Sequence, residues 1–175
     1  MVRALSQLIA RRACLWAALG LLATLAFGPP PARGAVTEAW VQRYSNVLSN
    51  SIDEAFKVVR DAAGDIIVTG TTDGGTGPDV LTIKYSGTDG AVLWQQRYPM
   101  SGYYGVPSVA VDGGDNVVVT GHSTTAKYAA TDGALLWEKR YDGPANSDDR
   151  ATAVAMDSSG NAVVTGSSYN GTNSD

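Results

Sequence analysis

Acidic and amide side chains form two groups that could supply oxygen ligands to a calcium ion. The residues of these groups are, in chain order, Asp112, Asp115, Asn116, Asp148, Asp149 and Asp157. Neither group has the loop spacing and closing glutamate of an EF-hand, and the same residue types form turns. The sequence therefore predicts turns here and no metal site. Zinc is not expected either, since the chain holds one histidine, His122, and one cysteine, Cys14.

His122 stands among serines and aspartates, the residue types of a hydrolytic triad. No nucleophile-elbow motif accompanies it, so the sequence favours an ordinary loop histidine. Glu138 and Asp142 could supply the carboxylates of a glycoside hydrolase, but the position of Glu138 holds Gln95 in an earlier copy of the motif. The glycine-rich stretch 70–77 precedes no helical pattern and so lacks the helix N-terminus of a phosphate-binding loop. No catalytic, cofactor-binding or metal-ligating residue is assigned, and the chain is predicted not to be an enzyme.

The polar residues lie between segments that repeat along the chain. TDGAVLWQQRY (88–98) recurs as TDGALLWEKRY (131–141), and its ending occurs earlier as AWVQRY (39–44). A second element follows each copy and ends in Val-Thr-Gly: GDIIVTG (64–70), GDNVVVTG (114–121) and SGNAVVTG (159–166). The repeated tryptophans lie 54 and then 43 residues apart. This period is typical of propeller blades and other stacked repeats.

Each period carries β-strand signals and no helical pattern. A short apolar run ends in an aspartate and leads into an Asp/Gly/Asn turn, which is typical of a hairpin. The run ending in Val-Thr-Gly is β-branched without alternation, which suits a strand buried on both faces. A third strand (79–86) and the tryptophan-containing strand follow, joined by an Asp-Gly turn. Four short antiparallel strands per period describe a propeller blade.

The aromatic residues of the fourth strand have a predicted structural role. Trp94 and Tyr98 share one face of the strand, and Arg97 points to the opposite face. We expect the two aromatic side chains to cover the gap to the neighbouring sheet. Aromatic residues lining a sugar-binding groove are the functional alternative.

The N-terminus has the composition of a secretory signal peptide. Arg3, Arg11 and Arg12 precede the apolar run 13–27, which is shorter than a membrane span. Cleavage before Ala35 is predicted, so that residues 1–34 form the signal peptide; an uncleaved signal anchor is the alternative. Cleavage would remove the one cysteine and leave 9 basic and 17 acidic side chains. A chain this acidic is not expected to bind nucleic acid, nor a membrane after signal cleavage.

The segments DDRATAVAMDSSGNAVVTGSS (148–168) and GGDNVVVTGHS (113–123) resemble the SBBP-type β-propeller repeat of bacterial secreted and cell-surface proteins. The resemblance covers nearly all of residues 36–175. It implies an exported propeller, usually part of a larger surface protein, without a family-wide enzymatic activity. YAATDGALLWEKRY (128–141) also resembles the blade motif of PQQ-type quinoprotein propellers. This second likeness concerns the docking of adjacent blades and not cofactor chemistry, so no cofactor is expected.

Residues 35–175 are therefore expected to form an incomplete all-β propeller of about two and a half four-stranded antiparallel blades. The expected parts are a closing strand and linker (35–54, with the strand at 37–44), a first blade (55–98), a second blade (106–141) and half of a third blade (151–175). A tight turn near His122 and Ser123 would replace the longer connection of the first blade. A closed ring needs about 4–8 blades. The alternatives are thus a truncated gene product and a ring assembled from several copies.

The predicted function is that of a non-catalytic repeat segment that is secreted, periplasmic or on the cell surface. Its role would be structural, adhesive or ligand-binding, with protein or carbohydrate as partner. Unpaired sheet edges would also favour self-association. Two alternatives remain: a fragment of a quinoprotein-like or hydrolytic propeller enzyme, and a carbohydrate-binding propeller completed by oligomerisation.

Overall fold

The structure is a computed structural model that describes residues 37–46, 51–99, 105–145, 149–172 and 174. All of the elements below belong to the compact unit Glu38–Asp175. The predicted signal peptide, residues 1–34, lies outside the described residues, as does Asp148. In the described part of the chain, no helix is long and apolar enough to cross a membrane.

In the described residues, ten strands form three antiparallel sheets. They are β1 (Glu54–Arg60), β2 (Ile66–Asp73), β3 (Pro78–Tyr85), β4 (Val92–Pro99), β5 (Ser108–Val111), β6 (Val117–Gly121), β7 (Thr124–Tyr128), β8 (Leu135–Arg140), β9 (Asp149–Met156) and β10 (Ala162–Ser168). The first sheet contains β1 to β4, the second β5 to β8, and the third β9 and β10. Neighbouring strands in each sheet are also neighbours along the chain. The prediction of an all-β fold with four, four and two antiparallel strands is confirmed.

One type of turn joins the first two strands of every sheet. Gly64, Asp115 and Gly160 occupy its left-handed position, with φ angles of 96°, 62° and 82°. Aspartate adopts this conformation more readily than most residues other than glycine, which explains the exchange at Asp115. The third and fourth strands are joined by turns in which Gly90 and Gly133 have φ angles of 73° and 71°. These two Asp-Gly pairs thus stand at turns that require a left-handed residue.

In two of the sheets, close contact with the backbone of the neighbouring strand explains why the Val-Thr-Gly motif ends in glycine. The pairing of β1 with β2 shifts register beside Gly70, and a methyl group on Gly70 would lie 1.9 Å from the carbonyl oxygen of Glu54. The pairing of β9 with β10 shifts in the same way beside Gly166. A methyl group there would lie 1.9 Å from the carbonyl oxygen of Arg150. The motif therefore marks a β-bulge at which no side chain fits.

The sheets pack side by side, with β1 against β5 and β5 against β9. The core between the first two sheets contains Ile67, Val80, Trp94, Val109, Val117, Val119, Ala126 and Tyr128. Strand β6 is buried along its whole length, as its non-alternating apolar sequence predicts. Strand β10 is not, because Val163 is 59% exposed and Val164 is 42% exposed. The expectation of burial on both faces is wrong for β10, which in the described residues packs mainly against β9 of its own sheet.

The predicted strand at 37–44 is also wrong. Residues 37–46 are irregular in the structure. A strand needs a neighbouring edge to receive its hydrogen bonds. The third sheet, which this segment was expected to complete, consists of β9 and β10 in the described residues. The segment instead crosses one face of the first sheet, where Trp40 and Tyr44 pack against a buried cluster that includes Tyr85.

Candidate functional site

Two of the repeated tryptophans dock on the turn between the third and fourth strands of a sheet. Trp94 Nε1 donates a hydrogen bond to the carbonyl oxygen of Ala130 at 3.1 Å, and its ring covers Gly133. Trp40 Nε1 donates to the carbonyl oxygen of Gly87 at 3.4 Å. Its ring covers the turn glycine of the first sheet in the same manner. The repeated motif therefore supplies a repeated contact from one segment to the sheet that follows.

Each docked tryptophan also packs against a tyrosine of the sheet that it covers. The ring centroids are 6.1 Å apart for Trp40 and Tyr85, and 6.3 Å apart for Trp94 and Tyr128. Burial and the nearby charge of Glu138 raise the pKa of Tyr128 to about 12. The phenol group of this tyrosine thus stays protonated in the interface.

Trp137 occupies the same place on its strand as Trp94. It pairs with Lys127 across β7 and β8, as Trp94 pairs with Lys84 across β3 and β4. Trp94 is 6% exposed, whereas Trp137 is only half-buried. The difference follows from the third sheet, which has no third-to-fourth strand turn in the described residues. The predicted equivalence of the two strands holds in register but not in burial.

Tyr98 and Arg97 also lie as the strand alternation predicts. Tyr98 packs against the core between the first two sheets, and its hydroxyl group donates to Glu138 Oε1 at 3.0 Å. Arg97 donates to the carbonyl oxygen of Asp73 at 2.8 Å within its own sheet. The prediction that the aromatic side chains cover the gap between sheets is confirmed.

A buried lysine lies under the first turn of the first sheet. Lys84 Nζ is 2.7 Å from Asp61 Oδ2 and 3.4 Å from Asp65 Oδ2. It also donates to the carbonyl oxygen of Ala130 in the second sheet at 3.1 Å. Burial by itself disfavours the ammonium ion, but the two carboxylates outweigh it and raise the pKa of Lys84. One side chain therefore links the turn, the third strand and the next sheet.

Lys127 and Asp112 form the same pair in the second sheet, 2.5 Å apart. Burial raises the pKa of Asp112, but hydrogen bonds from Lys127, Asn116 and the backbone of Gly114 and Asn116 lower it to about 2. Two of the calcium candidates, Asp112 and Asn116, are thus hydrogen-bonded to each other, and Asp112 also pairs with Lys127. A third, Asp115, accepts a hydrogen bond from the backbone of Ala62 at 2.9 Å. Among the residues described, no group of three His, Cys, Asp or Glu side chains could hold a metal ion.

A second aspartate recurs at the start of the first and third sheets, half-buried at Asp53 and buried at Asp149. Asp53 accepts hydrogen bonds from the backbone of Asn46 at 2.9 Å and from Thr72 Oγ1 at 2.7 Å. Asp149 accepts hydrogen bonds from the backbone of Gly143 at 2.7 Å and from Ser168 Oγ at 2.6 Å. This aspartate clamp was not predicted from the sequence. Each aspartate lies 17 residues before the glycine of its Val-Thr-Gly motif, and that spacing was the available signal.

Two cavities border the sheets. The first has a volume of about 330 Å³ on the open face of the first sheet. Its lining includes three aromatic side chains, Trp40, Tyr44 and Tyr85, together with Gln42, Asp53, Glu54 and Thr71. The second has a volume of about 440 Å³ and lies between the second and third sheets. Its lining includes His122, Ser123, Lys139, Arg140, Tyr141, Asp149, Arg150 and Val164.

The catalytic candidates have structural partners. His122 and Ser123 alone join β6 to β7, His122 has a φ of 52°, and its Nδ1 lies 3.3 Å from Ser123 Oγ. Asp149 borders the same cavity, but its two carboxylate oxygens accept hydrogen bonds from the clamp described above. Glu138 accepts from Tyr98 at the interface between sheets. Asp142 follows the end of β8.

Compared with known proteins, the chain matches no family model and no curated protein. Any functional assignment therefore depends on the geometry of the chain's own residues. Its most developed features are the docked tryptophans and the aromatic cavity beside Trp40.

Proposed function

We propose that the chain is a non-catalytic, exported β-propeller repeat segment that acts by binding at the cell surface. The docking of Trp40 and Trp94 on successive sheets carries the proposal, because a contact that repeats with the sequence makes each sheet lie beside the next. The first strands of the three sheets also lie next to each other. In a propeller the first strands line the centre and the fourth strands form the rim.

The aromatic cavity favours carbohydrate as the ligand class. Trp40, Tyr44 and Tyr85 supply apolar ring faces, which stack on the apolar faces of sugar rings. Gln42 and Thr71 supply hydrogen-bonding groups of the type that fix a ligand's orientation. A volume of about 330 Å³ suits one or two sugar units.

Export is tested by expressing the chain with its own N-terminus in a bacterial host. We expect the processed protein in the periplasm or the medium, with Ala35 as its first residue. Full-length protein retained in the cytoplasm would contradict this part of the proposal. Mass spectrometry of the recovered protein distinguishes the two results.

Ligand binding is tested with the purified chain and a panel of bacterial polysaccharides. Isothermal titration calorimetry should show binding that Trp40→Ala weakens and Trp137→Ala leaves unchanged, because Trp40 lines the cavity and Trp137 does not. Equal losses in the two variants would contradict a site at Trp40. Release of sugar fragments, or saturable binding of a quinone, would instead support an enzyme and overturn the non-catalytic assignment.

A further inference from the structure

The lining of the aromatic cavity carries a net negative charge. Asp53 and Glu54 contribute carboxylates, and in the described part of the chain no lysine, arginine or histidine lines the cavity. Arg43, on the same segment as Trp40, is exposed and lies outside the lining. A site with this charge disfavours anionic ligands and favours cationic ones.

The two carboxylates of the lining differ in what they contact. Asp53 Oδ1 accepts a hydrogen bond from Thr72 Oγ1, and Asp53 Oδ2 accepts one from the backbone of Asn46. Burial raises the pKa of Asp53, but these hydrogen bonds outweigh it and lower the pKa, so the carboxylate stays ionised. Glu54 is exposed, and its side chain makes no hydrogen bond or ion pair within the described residues. Glu54 is therefore the carboxylate that a ligand can contact directly.

Three aromatic rings line the same cavity as Glu54. The rings of Trp40 and Tyr85 are inclined by 36° with their centroids 6.1 Å apart, and Tyr44 is the third aromatic residue of the lining. Burial and the neighbouring Tyr44 raise the pKa of Tyr85, so its phenol group stays neutral. The face of a neutral aromatic ring attracts cations, and tryptophan attracts them most strongly. The rings and the carboxylate thus favour the same kind of group.

The cavity between the second and third sheets has the same repeat positions with the opposite charge. Glu54 and Arg150 each lie 16 residues before the glycine of their Val-Thr-Gly motif. Gln42 and Lys139 each lie two residues after a repeated tryptophan. All four residues line their respective cavities. Two positions of the repeat therefore distinguish the cavities by charge, and the aromatic cavity is the one without cationic side chains.

We propose that the aromatic cavity selects sugars that carry a free ammonium group. This inference rests on the sugar binding proposed above and assigns its selectivity. The ammonium group would pair with the carboxylate of Glu54 and lie against the face of Trp40, with the sugar rings on Tyr44 and Tyr85. N-acetylation of the amine removes the charge that these groups attract, and a hydroxyl group at the same position carries no charge.

Three β-1,4-linked disaccharides, built from glucosamine, N-acetylglucosamine and glucose, isolate the effect of the charge. Isothermal titration calorimetry with the purified chain is done at a pH at which the amine is protonated. The glucosamine disaccharide should bind about tenfold more tightly than the other two, since one ion pair and one cation–π contact act together. Equal affinity for all three would overturn this inference and leave the sugar site in place. A lack of binding by all three would contradict the sugar site itself.

Variants of Glu54 test whether the selectivity arises in the cavity. Glu54→Gln should abolish the preference, so that the glucosamine and glucose disaccharides bind about equally. Glu54→Arg, which copies Arg150 of the second cavity, should make the glucosamine disaccharide the weakest ligand of the three. A preference for glucosamine that survives either substitution would refute the assignment to Glu54.

Glu38→Gln is the matched control for charge. Glu38 is exposed on the same segment as Trp40 but lies outside the lining of the cavity. The variant should therefore keep the tenfold preference for the glucosamine disaccharide. Equal losses of preference in Glu38→Gln and Glu54→Gln would assign the attraction to the overall negative charge of the chain and overturn the proposed contact.

Discussion

Replacing Lys84 with methionine keeps most of the side-chain volume and removes the ammonium group that faces Asp61. Lys84 Nζ lies 2.7 Å from Asp61 Oδ2, and the two side chains are 5% and 0% exposed. The variant therefore leaves a buried carboxylate without its counter-ion. It also removes the hydrogen bond to the carbonyl oxygen of Ala130 in the next sheet. Breaking one side of a buried pair costs about 3–5 kcal/mol, and we expect the free energy of unfolding to fall by that amount.

Urea unfolding followed by circular dichroism measures this loss. The matched control is the double variant Lys84→Met, Asp61→Asn, which removes both charges and keeps the Oδ1 acceptor for the backbone of Asp65. It should recover most of the lost stability, since the fully buried charge is gone and the carboxylate of Asp65, the second partner of Lys84, is partly exposed. Lys127→Met should cost less, because Lys127 is 16% exposed. A loss for Lys84→Met of under about 1 kcal/mol, the size of a surface pair, would refute the argument. An unrecovered double variant would refute it as well.

Asp112→Asn should lower the free energy of unfolding most near neutral pH. Because the pKa of Asp112 is about 2 in the folded chain against 3.8 in the unfolded chain, the carboxylate contributes about 2 kcal/mol above pH 3.8, and this contribution is lost as the pH falls towards 2. Urea unfolding midpoints measured across this pH range check the prediction. Gly70→Ala should lower the free energy of unfolding by about 3 kcal/mol, because the added methyl group clashes with the backbone of Glu54. Gly113→Ala, whose methyl group would lie in open space, should change the free energy little, and thermal unfolding compares the two variants. Trp94→Ala should cost about 3–5 kcal/mol and Trp137→Ala less than half as much, and equal losses in urea unfolding would contradict docking.

The strands and sheets could be predicted from the sequence because their signals are local and repeat. A β-branched run before Val-Thr-Gly and an Asp-Gly turn each depend on a few adjacent residues. Repetition of the pattern then sets the order of strands in a sheet. The role of Trp94 was predictable for the same reason, because the strand alternation fixes the face on which it lies.

The strand at 37–44 was predicted wrongly because its sequence matches β4 but its partner does not exist in the described sheets. The local pattern indicates that a segment can form a strand, but the strand forms only where a sheet offers a free edge. The same reason explains the exposure of Val163 and Val164, whose sequence is typical of a buried strand. Burial is a property of the neighbours, which a single segment does not specify.

The polar groups of the site were not predictable from residue type alone. Lysine is a residue type usually found on the solvent-exposed side of a strand. Only the register of β3 against β2 brings Lys84 to Asp61. Asp53 and Asp149 could have been found, because their spacing from the motif glycine is the same. The lysines showed a comparable signal in the repeated pattern Thr-x-Lys-Tyr, at 82–85 and 125–128, but the sequence alone does not show which aspartate each lysine contacts.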